Sequence, residues 1–411
     1  VRVAYVVSLF PKISETFILR EMLALRARGV EVLVVSLKRR RESLVHPEAA
    51  PLLASTIYAG RPGPAAAALA VRTAGRPAAA AALAGRVAAA HAARPALLAK
   101  SLPLVAVAAE VAGILEARGV DRVHAHWATY PALVAWAVRR LSGIPYSMTA
   151  HAHDIFLPNP LLAAKVAESE FTVTISEYNR RRLAEICGPA AAAKVHVIHC
   201  GVPLAEYPAR REPPSGPPKI VSVGRLVDYK GFPTLLRAVA ALRSRGIEVL
   251  CDIVGDGPLE GRVRAAVREL GLDGAVRLLG PRTQDEVRGI LLGAGACVLA
   301  CERGRDGQMD GIPVVLMEAM ALGVPAVATR LSGIPEIIED GTTGLLAEPG
   351  DAASLAAAVE RVLKEPALAA RLGAAGRRKV EESFDLGRSA EALHRLLAGS
   401  VAAVAAPGAR A

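Results

Sequence analysis

Short apolar runs, each followed by an amphipathic stretch of helical period, recur from one end of this 411-residue chain to the other. That alternation is the pattern of βαβ winding, in which parallel strands are covered by helices on both faces. VRVAYVVSLF opens the chain as a strand, TFILREMLALRARG reads as a helix closing on Gly29, and VEVLVVSLK as a second strand. Further strands are expected in VDRVHAHW (120–127), IPYSMTAHAHD (144–154), FTVTIS (171–176) and KVHVIHCGV (194–202). YPARREPPSGPPK (207–219) then breaks the pattern with prolines and a glycine, as an interdomain linker does. KIVSVGRL (219–226) restarts it, with strands expected near 249–254, 275–280, 296–300, 325–328 and 344–347. The length suits two domains. The expected division is residues 1–205, a linker over 206–218, a second domain over 219–385, and a terminal helix over 386–411. Residues 61–118 are Ala-rich, with Pro or Gly at 62, 64, 75, 77, 85, 95 and 103, and read as a series of short helices.

A hydrophobic fraction of 52% against 22% charged residues belongs to a folded chain. The net charge of +11 is one-sided: residues 1–205 hold 24 Lys and Arg against 13 Asp and Glu, whereas residues 206–411 hold 26 of each. A basic half faces something anionic or is a solvated Arg-rich surface. Lys38, Arg39, Arg40 and Arg41, and Arg180 to Arg182, cluster rather than scatter, which favours a membrane surface or a lipid diphosphate. Nucleic acid is not expected, because no binding motif is present and aromatics make up only 4%. The five cysteines show no Cys-x-x-Cys spacing. With no signal-peptide pattern and no uninterrupted apolar run of about 18 residues, the expectation is reduced thiols in a cytoplasmic chain without a spanning helix.

The densest chemistry lies in DGIPVVLME (310–318), where Asp310 and Glu318 flank a Gly-x-Pro turn and the start of an apolar helix. Pro313 suits a first helical position, Gly311 permits close backbone approach, and Ile312 completes the turn. Two acids beside a helix N-terminus fit a ligand carrying both hydroxyls and phosphate, in outline a nucleotide sugar. GRLVDYKG (224–231) follows a strand and opens a helix, so Arg225 and Lys230 are fixed cations at a strand's carboxyl end. Gly255, in VGDGP, is a turn glycine after the next strand, and Arg282 follows VRLLG. In the first half, TAHAHD (149–154) ends a strand and offers His151 and His153, with Asp154 placed to cap the next turn. His124 and His126 alternate on a strand and share a face; with no third ligand apparent they are not read as a metal site. The first loop, SLFPKISETF, lacks a glycine-rich phosphate fingerprint. Ser14 or Thr16 could cap the following helix with Glu15 in its first turn, a weak acceptor-side site.

These segments carry a resemblance. Residues 310–346, DGIPVVLMEAMALGVPAVATRLSGIPEIIEDGTTGLL, resemble the signature region of the family 4 glycosyltransferases. SLFPKISETFILREMLALRARG (8–29) and HAHWATYPALVAWAVRRLSGIPYSMTAHAHDIF (124–156) resemble the branch that includes colanic-acid and other exopolysaccharide glycosyltransferases. The resemblance implies the GT-B architecture, α/β with two Rossmann-like parallel-sheet domains facing a central cleft, and a last helix packed back on the first domain. It assigns Arg225 and Lys230 to the donor diphosphate, Glu318 to ribose hydroxyls, Asp310 to the donor sugar, and Gly255 and Arg282 to the nucleotide. His151 would orient a sugar hydroxyl, with His124, His126 and His153 on the acceptor side. The family pattern has Glu where this chain has Asp310, one methylene shorter, which leaves sugar preference open.

The reading is a retaining, metal-independent hexosyltransferase without a cofactor. It would move sugar from a nucleotide diphosphate donor to a lipid-linked saccharide in exopolysaccharide synthesis. It would be cytoplasmic, with attachment to the inner face of the plasma membrane left open. The alternatives are a GT-B epimerase or phosphorylase, which should lack the 310–321 signature, and a non-catalytic membrane-surface protein. A Rossmann oxidoreductase would need a glycine-rich first loop and an acid ending the second strand, and neither is visible.

Overall fold

The computed structural model describes residues 1–12, 15–39, 46–75, 77–212 and 214–405. The chain divides into two units, Val1–Ile198 with Ser389–Ala411, and His199–Arg388.

In the first unit, β1 (Arg2–Val7), β2 (Glu31–Ser36), β3 (Ile57–Tyr58), β4 (Arg122–His126), β5 (Tyr146–Ala150), β6 (Thr172–Thr174) and β7 (Val195–Val197) form one sheet. Its order is β3-β2-β1-β4-β5-β6-β7, and every neighbouring pair is parallel. Winding runs outward from β1 to β3, then restarts at β4 on the other side. The loops after β1 and β4 therefore leave the sheet at the point where strand order reverses, which is where open α/β sheets bind ligands. The strands are apolar because helices cover both faces: Val3, Tyr5 and Val7 pack with Met22 and with Leu393 and Leu397 of the last helix, while Ala4 and Val6 pack with Leu115, Val123 and Trp136.

The Ala-rich segment is helical at Pro62–Gly75, Pro77–His91, Pro95–Ser101 and Leu104–Ala117. The prolines act as starters more than as breakers. Pro62, Pro77 and Pro95 each stand first in a helix, where the missing N–H costs nothing. Gly85 lies inside a helix instead of ending it. Residues Pro95–Ala117 are long and apolar enough by composition to cross a membrane. Val105, Ala108, Val111, Ala112 and Leu115 of that stretch are nevertheless buried in the unit's own core.

The second unit repeats the plan with β8 (Lys219–Val223), β9 (Leu250–Val254), β10 (Val276–Gly280), β11 (Ala296–Leu299), β12 (Ala326–Thr329) and β13 (Leu345–Ala347). The order is β10-β9-β8-β11-β12-β13, again parallel throughout, with the reversal between β8 and β11. The Pro-rich stretch packs on this unit: Tyr207 is 1% exposed, and Arg210 donates its N–H to Leu322 O at 2.9 Å and its guanidinium to Ala294 O at 2.7 Å.

Glycines let the loops of the second sheet touch backbone to backbone. Gly231, at φ +64°, ends the loop after β8, and a Cβ there would lie 1.8 Å from Ala300 O in the loop after β11. Gly255, at φ +128°, follows β9, and a Cβ there would lie 2.1 Å from Gly224 O. Three loops are thus clamped together, and a methyl at either point both strains the backbone and pushes a loop away. Gly231→Ala should destabilise the fold by about 1–3 kcal/mol, read as a lower denaturant midpoint with unchanged slope; an unshifted midpoint would mean the loops part freely.

Candidate active site

In the second unit, Lys230 reaches from the loop after β8 to Asp310 in the loop after β11, with Nζ 2.7 Å from Oδ2. Both side chains are largely shielded, at 13% and 19% exposure. Lys230 lies across Gly224, where a Cβ would meet its Cε at 3.2 Å, so the glycine clears the path of the long side chain. Burial alone would lower the ammonium's pKa, but the carboxylate of Asp310 and the neighbouring Cys301 outweigh it, and the net shift is upward. Cys301 donates its S–H to the same Asp310 oxygen at 3.3 Å. Burial first, and then Asp310, hold that thiol well above its usual range. Lys230 is therefore a permanent cation bridging the crevice between β8 and β11.

The remaining expected residues of this unit are placed as follows. Arg225 is exposed at the start of the same loop, with no ion pair among the described residues. Gly255 follows β9, and Arg282 follows β10, exposed and paired with Glu286 at 3.1 Å on a capped helix turn. Gly311 and Ile312 are buried before the helix Val314–Ala321. Pro313 is extended, at φ −63° and ψ 125°, so the helix starts one residue later than the sequence placed it. Glu318 faces inward at 5% exposure. Its Oε1 accepts from the Tyr207 hydroxyl at 2.9 Å and from the Gln284 amide. The Gln284 amide also donates to the Tyr207 hydroxyl, at 2.9 Å. Tyr207 and Gln284 were not expected from sequence; the one signal was an aromatic residue stranded among prolines.

In the first unit the histidines gather at the carboxyl ends of β4 and β5. His126 Nε2 lies 2.8 Å from Glu21 Oε1, and His126 Nδ1 lies 3.1 Å from His151 Nε2. The Tyr5 hydroxyl donates to the same Glu21 oxygen at 2.9 Å. Burial would raise the Glu21 carboxyl, but His126, His124 and Tyr5 together hold it below the usual range. Burial, then the neighbouring histidines, push His151 well below its ordinary value. Burial and His126 take His124 down to about 3, so both rings stay neutral. Trp127, at φ +78°, packs 4.5 Å from the His151 ring and 4.4 Å from the His153 ring.

Glu21, His124 and His126 offer ligand atoms within 4.8 Å of one another. Both His124 nitrogens already hydrogen-bond the hydroxyls of Ser147 and Thr149, at 2.8 and 2.9 Å. An ion there would have to displace one of them. Glu15 precedes the helix Thr16–Arg26 without capping it through its side chain, and instead pairs with Lys12 at 2.7 Å. Ser14 lies outside the described residues, as do Arg40 and Arg41.

Asp154 ties the two histidine loops together. It accepts from Ala128 N at 2.7 Å, Ala152 N at 2.8 Å and His151 N at 3.0 Å. Lys165, equally buried, donates to Ala128 O at 2.5 Å and Asn159 Oδ1 at 2.8 Å. It also lines a cavity of 550 Å³ together with Lys38, Arg94, Thr129, Leu133 and His153.

Two family models match the chain: Glycosyltransferase Family 4 over residues 14–206 and Glycosyl transferases group 1 over residues 205–379. The two halves of the chain thus carry glycosyltransferase domains of the Family 4 and group 1 types, in the two-domain GT-B fold. It is 34% identical over 220 residues to the amylovoran biosynthesis glycosyltransferase AmsK of Erwinia amylovora, covering 53% of this chain and 54% of that one. It is 38% identical over 165 residues to the putative colanic acid biosynthesis glycosyltransferase WcaL of Salmonella typhimurium, covering 40% of this chain and 41% of that one. The chain thus spans about half or less of these relatives' lengths. Among solved structures, Anabaena HepE in complex with UDP and glucose superposes with a TM-score of 0.71 at 16% identity, over 97% of this chain and 99% of that one.

Burial, partly offset by Asp154 and then Cys187, lowers Lys165 from 10.5 to about 7. An amine whose folded pKa is depressed binds fewer protons in the folded state, so its contribution weakens as pH falls from about 10 to about 7. The stability of the native chain relative to Lys165→Met should therefore rise with pH across that window. Denaturant titrations at several pH values check this, and a flat or falling difference would refute it.

Proposed function

We propose that this chain is a retaining, metal-independent glycosyltransferase. It takes a hexose from a nucleoside-diphosphate sugar and passes it to a lipid-linked saccharide in exopolysaccharide synthesis. The observation that carries this reading is the Lys230–Asp310 pair in the crevice between β8 and β11, flanked by the exposed Arg225 and by glycine-clamped loops. A diphosphate entering that crevice meets fixed positive charge that needs no reorganisation as the leaving group gains charge. This is the service a metal ion performs in other transferases. Glu318, already accepting from Tyr207 and Gln284, has the chemistry to accept from pentose hydroxyls instead. HepE, of the same fold, is described with UDP and glucose. The names of AmsK and WcaL support an exopolysaccharide product.

Retention needs no covalent sugar–enzyme intermediate: a departing phosphate oxygen can take the acceptor's proton on the face it leaves. Lys230→Ala should lower turnover by about a hundredfold or more while leaving the folded spectrum intact, and a chelator should leave the native rate unchanged. Near-normal turnover in the variant would remove Lys230 from the diphosphate site, and loss of rate to the chelator would overturn metal independence.

The cavity in the first unit supports an anionic, partly apolar acceptor, since Lys38 and Arg94 share its lining with Leu97, Leu133 and Leu157. Farnesyl diphosphate is a suitable probe. It should bind in calorimetric titration and bind more weakly to Arg94→Glu; equal affinity for both proteins, or none for either, would retire the cavity as the lipid-diphosphate site.

A further inference from the structure

Among the described residues His151 is bonded through one ring nitrogen, and the chain of bonds behind it decides what the other nitrogen can do. Glu21 Oε1 already accepts from the Tyr5 hydroxyl. As a carboxylate it can only accept from His126 Nε2, 2.8 Å away. Where His126 holds a single proton, that proton sits on Nε2, facing the carboxylate, and Nδ1 is bare. That lone pair, 3.1 Å from His151 Nε2, requires the proton of His151 to sit on Nε2. His151 Nδ1 is left as an acceptor, with no partner among the described residues. The ring itself cannot turn freely. It is 3% exposed, with Phe17 at 4.9 Å and Trp127 at 4.5 Å, and stacks at 5.3 Å on His126. Its backbone is held by Asp154, and its carbonyl by the Asn179 amide.

We propose that Glu21 and His126 are positioning residues that lock His151 in its Nε2–H tautomer, so that His151 offers a ligand a fixed hydrogen-bond acceptor. The group it recognises must bring its own proton. A sugar hydroxyl meets that requirement, whereas a carboxylate or phosphate oxygen would face a lone pair and gain nothing. His151 thereby discriminates by chemistry as well as by shape, and the choice is made back along the chain of bonds, at Glu21 through His126. His124 takes no part, since both its nitrogens are satisfied by Ser147 and Thr149.

Long-range proton–nitrogen correlation spectra of the full chain with labelled histidine test this directly. His151 is assigned by the signal lost in His151→Asn. In the native chain its Nδ1 should be unprotonated and its Nε2 protonated; an Nδ1–H tautomer, or rapid averaging of the two, would overturn the proposal without any variant. Glu21→Met keeps the length but removes the acceptor, and should turn the His151 signals into a tautomer average. Glu21→Gln, whose amide oxygen still accepts, should restore the native pattern. An unchanged pattern in Glu21→Met would show that the tautomer is set elsewhere. Turnover should follow the spectra, falling about ten- to a hundredfold in Glu21→Met and recovering in Glu21→Gln. The turnover arm rests on the glycosyl-transfer reading and the spectroscopic arm does not, so failure of one is distinguishable from failure of the other.

Discussion

A single ion pair, Lys230 with Asp310, joins two loops that the winding of the second sheet sends off in opposite directions. Parallel sheets with this strand order always open a crevice where the order reverses. The crevice becomes a site only when side chains from both of its banks converge. Here the convergence depends on missing atoms as much as on present ones. Gly224 leaves room for the lysine, and Gly231 lets the loop after β8 lie against Ala300. A buried cation usually lowers its own pKa, and this one does the reverse because a carboxylate sits on it. The permanence of its charge, which the proposed chemistry needs, is a product of the pairing.

The first sheet solves a related problem with a different device. Its reversal point lies between β1 and β4, and there the loop ends are held by Asp154 and Lys165 acting on the two sides of Ala128, one accepting from N–H groups and the other donating to a carbonyl. Neither group reaches the histidine relay. They set the backbone, and Glu21 with His126 then sets the ring. Separating the two tasks explains why so many polar groups are buried in one place: Asp154, Lys165, Glu21 and His126 each have hydrogen-bond partners, as buried polar groups usually do, and each constrains a different degree of freedom.

The alternation of apolar runs made the strands legible: each expected strand starts within two residues of where pattern placed it, although those begun at Val1, Ile144, Lys194 and Lys219 end three to five residues earlier than expected. What escaped was short or distant. β3 is two residues long, too brief for any periodicity to register. The prolines of 61–118 read as interruptions because a proline looks the same at a helix start as at a break; only the N–H count, visible once helices exist, separates the cases. Asp310 and Lys230 were each expected from sequence to face a ligand. Their mutual contact was not, because 80 residues of chain separate them. Glu21 was the hardest to see. An acid on an amphipathic helix is by default a solvated one, and nothing local marks it as facing His126, on a strand more than a hundred residues away.

The shorter acid at position 310 gains a physical meaning from this geometry. Removing a methylene from a ligand-facing carboxylate withdraws its oxygens toward its own loop. In this chain the withdrawn oxygen lies within 2.7 Å of Lys230 and 3.3 Å of Cys301. A glutamate on the same backbone would overshoot the lysine or force the loop after β11 outward, against the contact that Gly231 makes with Ala300. The aspartate and the tight loop belong together. In this chain Asp310 serves first to hold Lys230 in place, and any grip it has on a sugar hydroxyl comes from the side of the carboxylate turned away from that lysine.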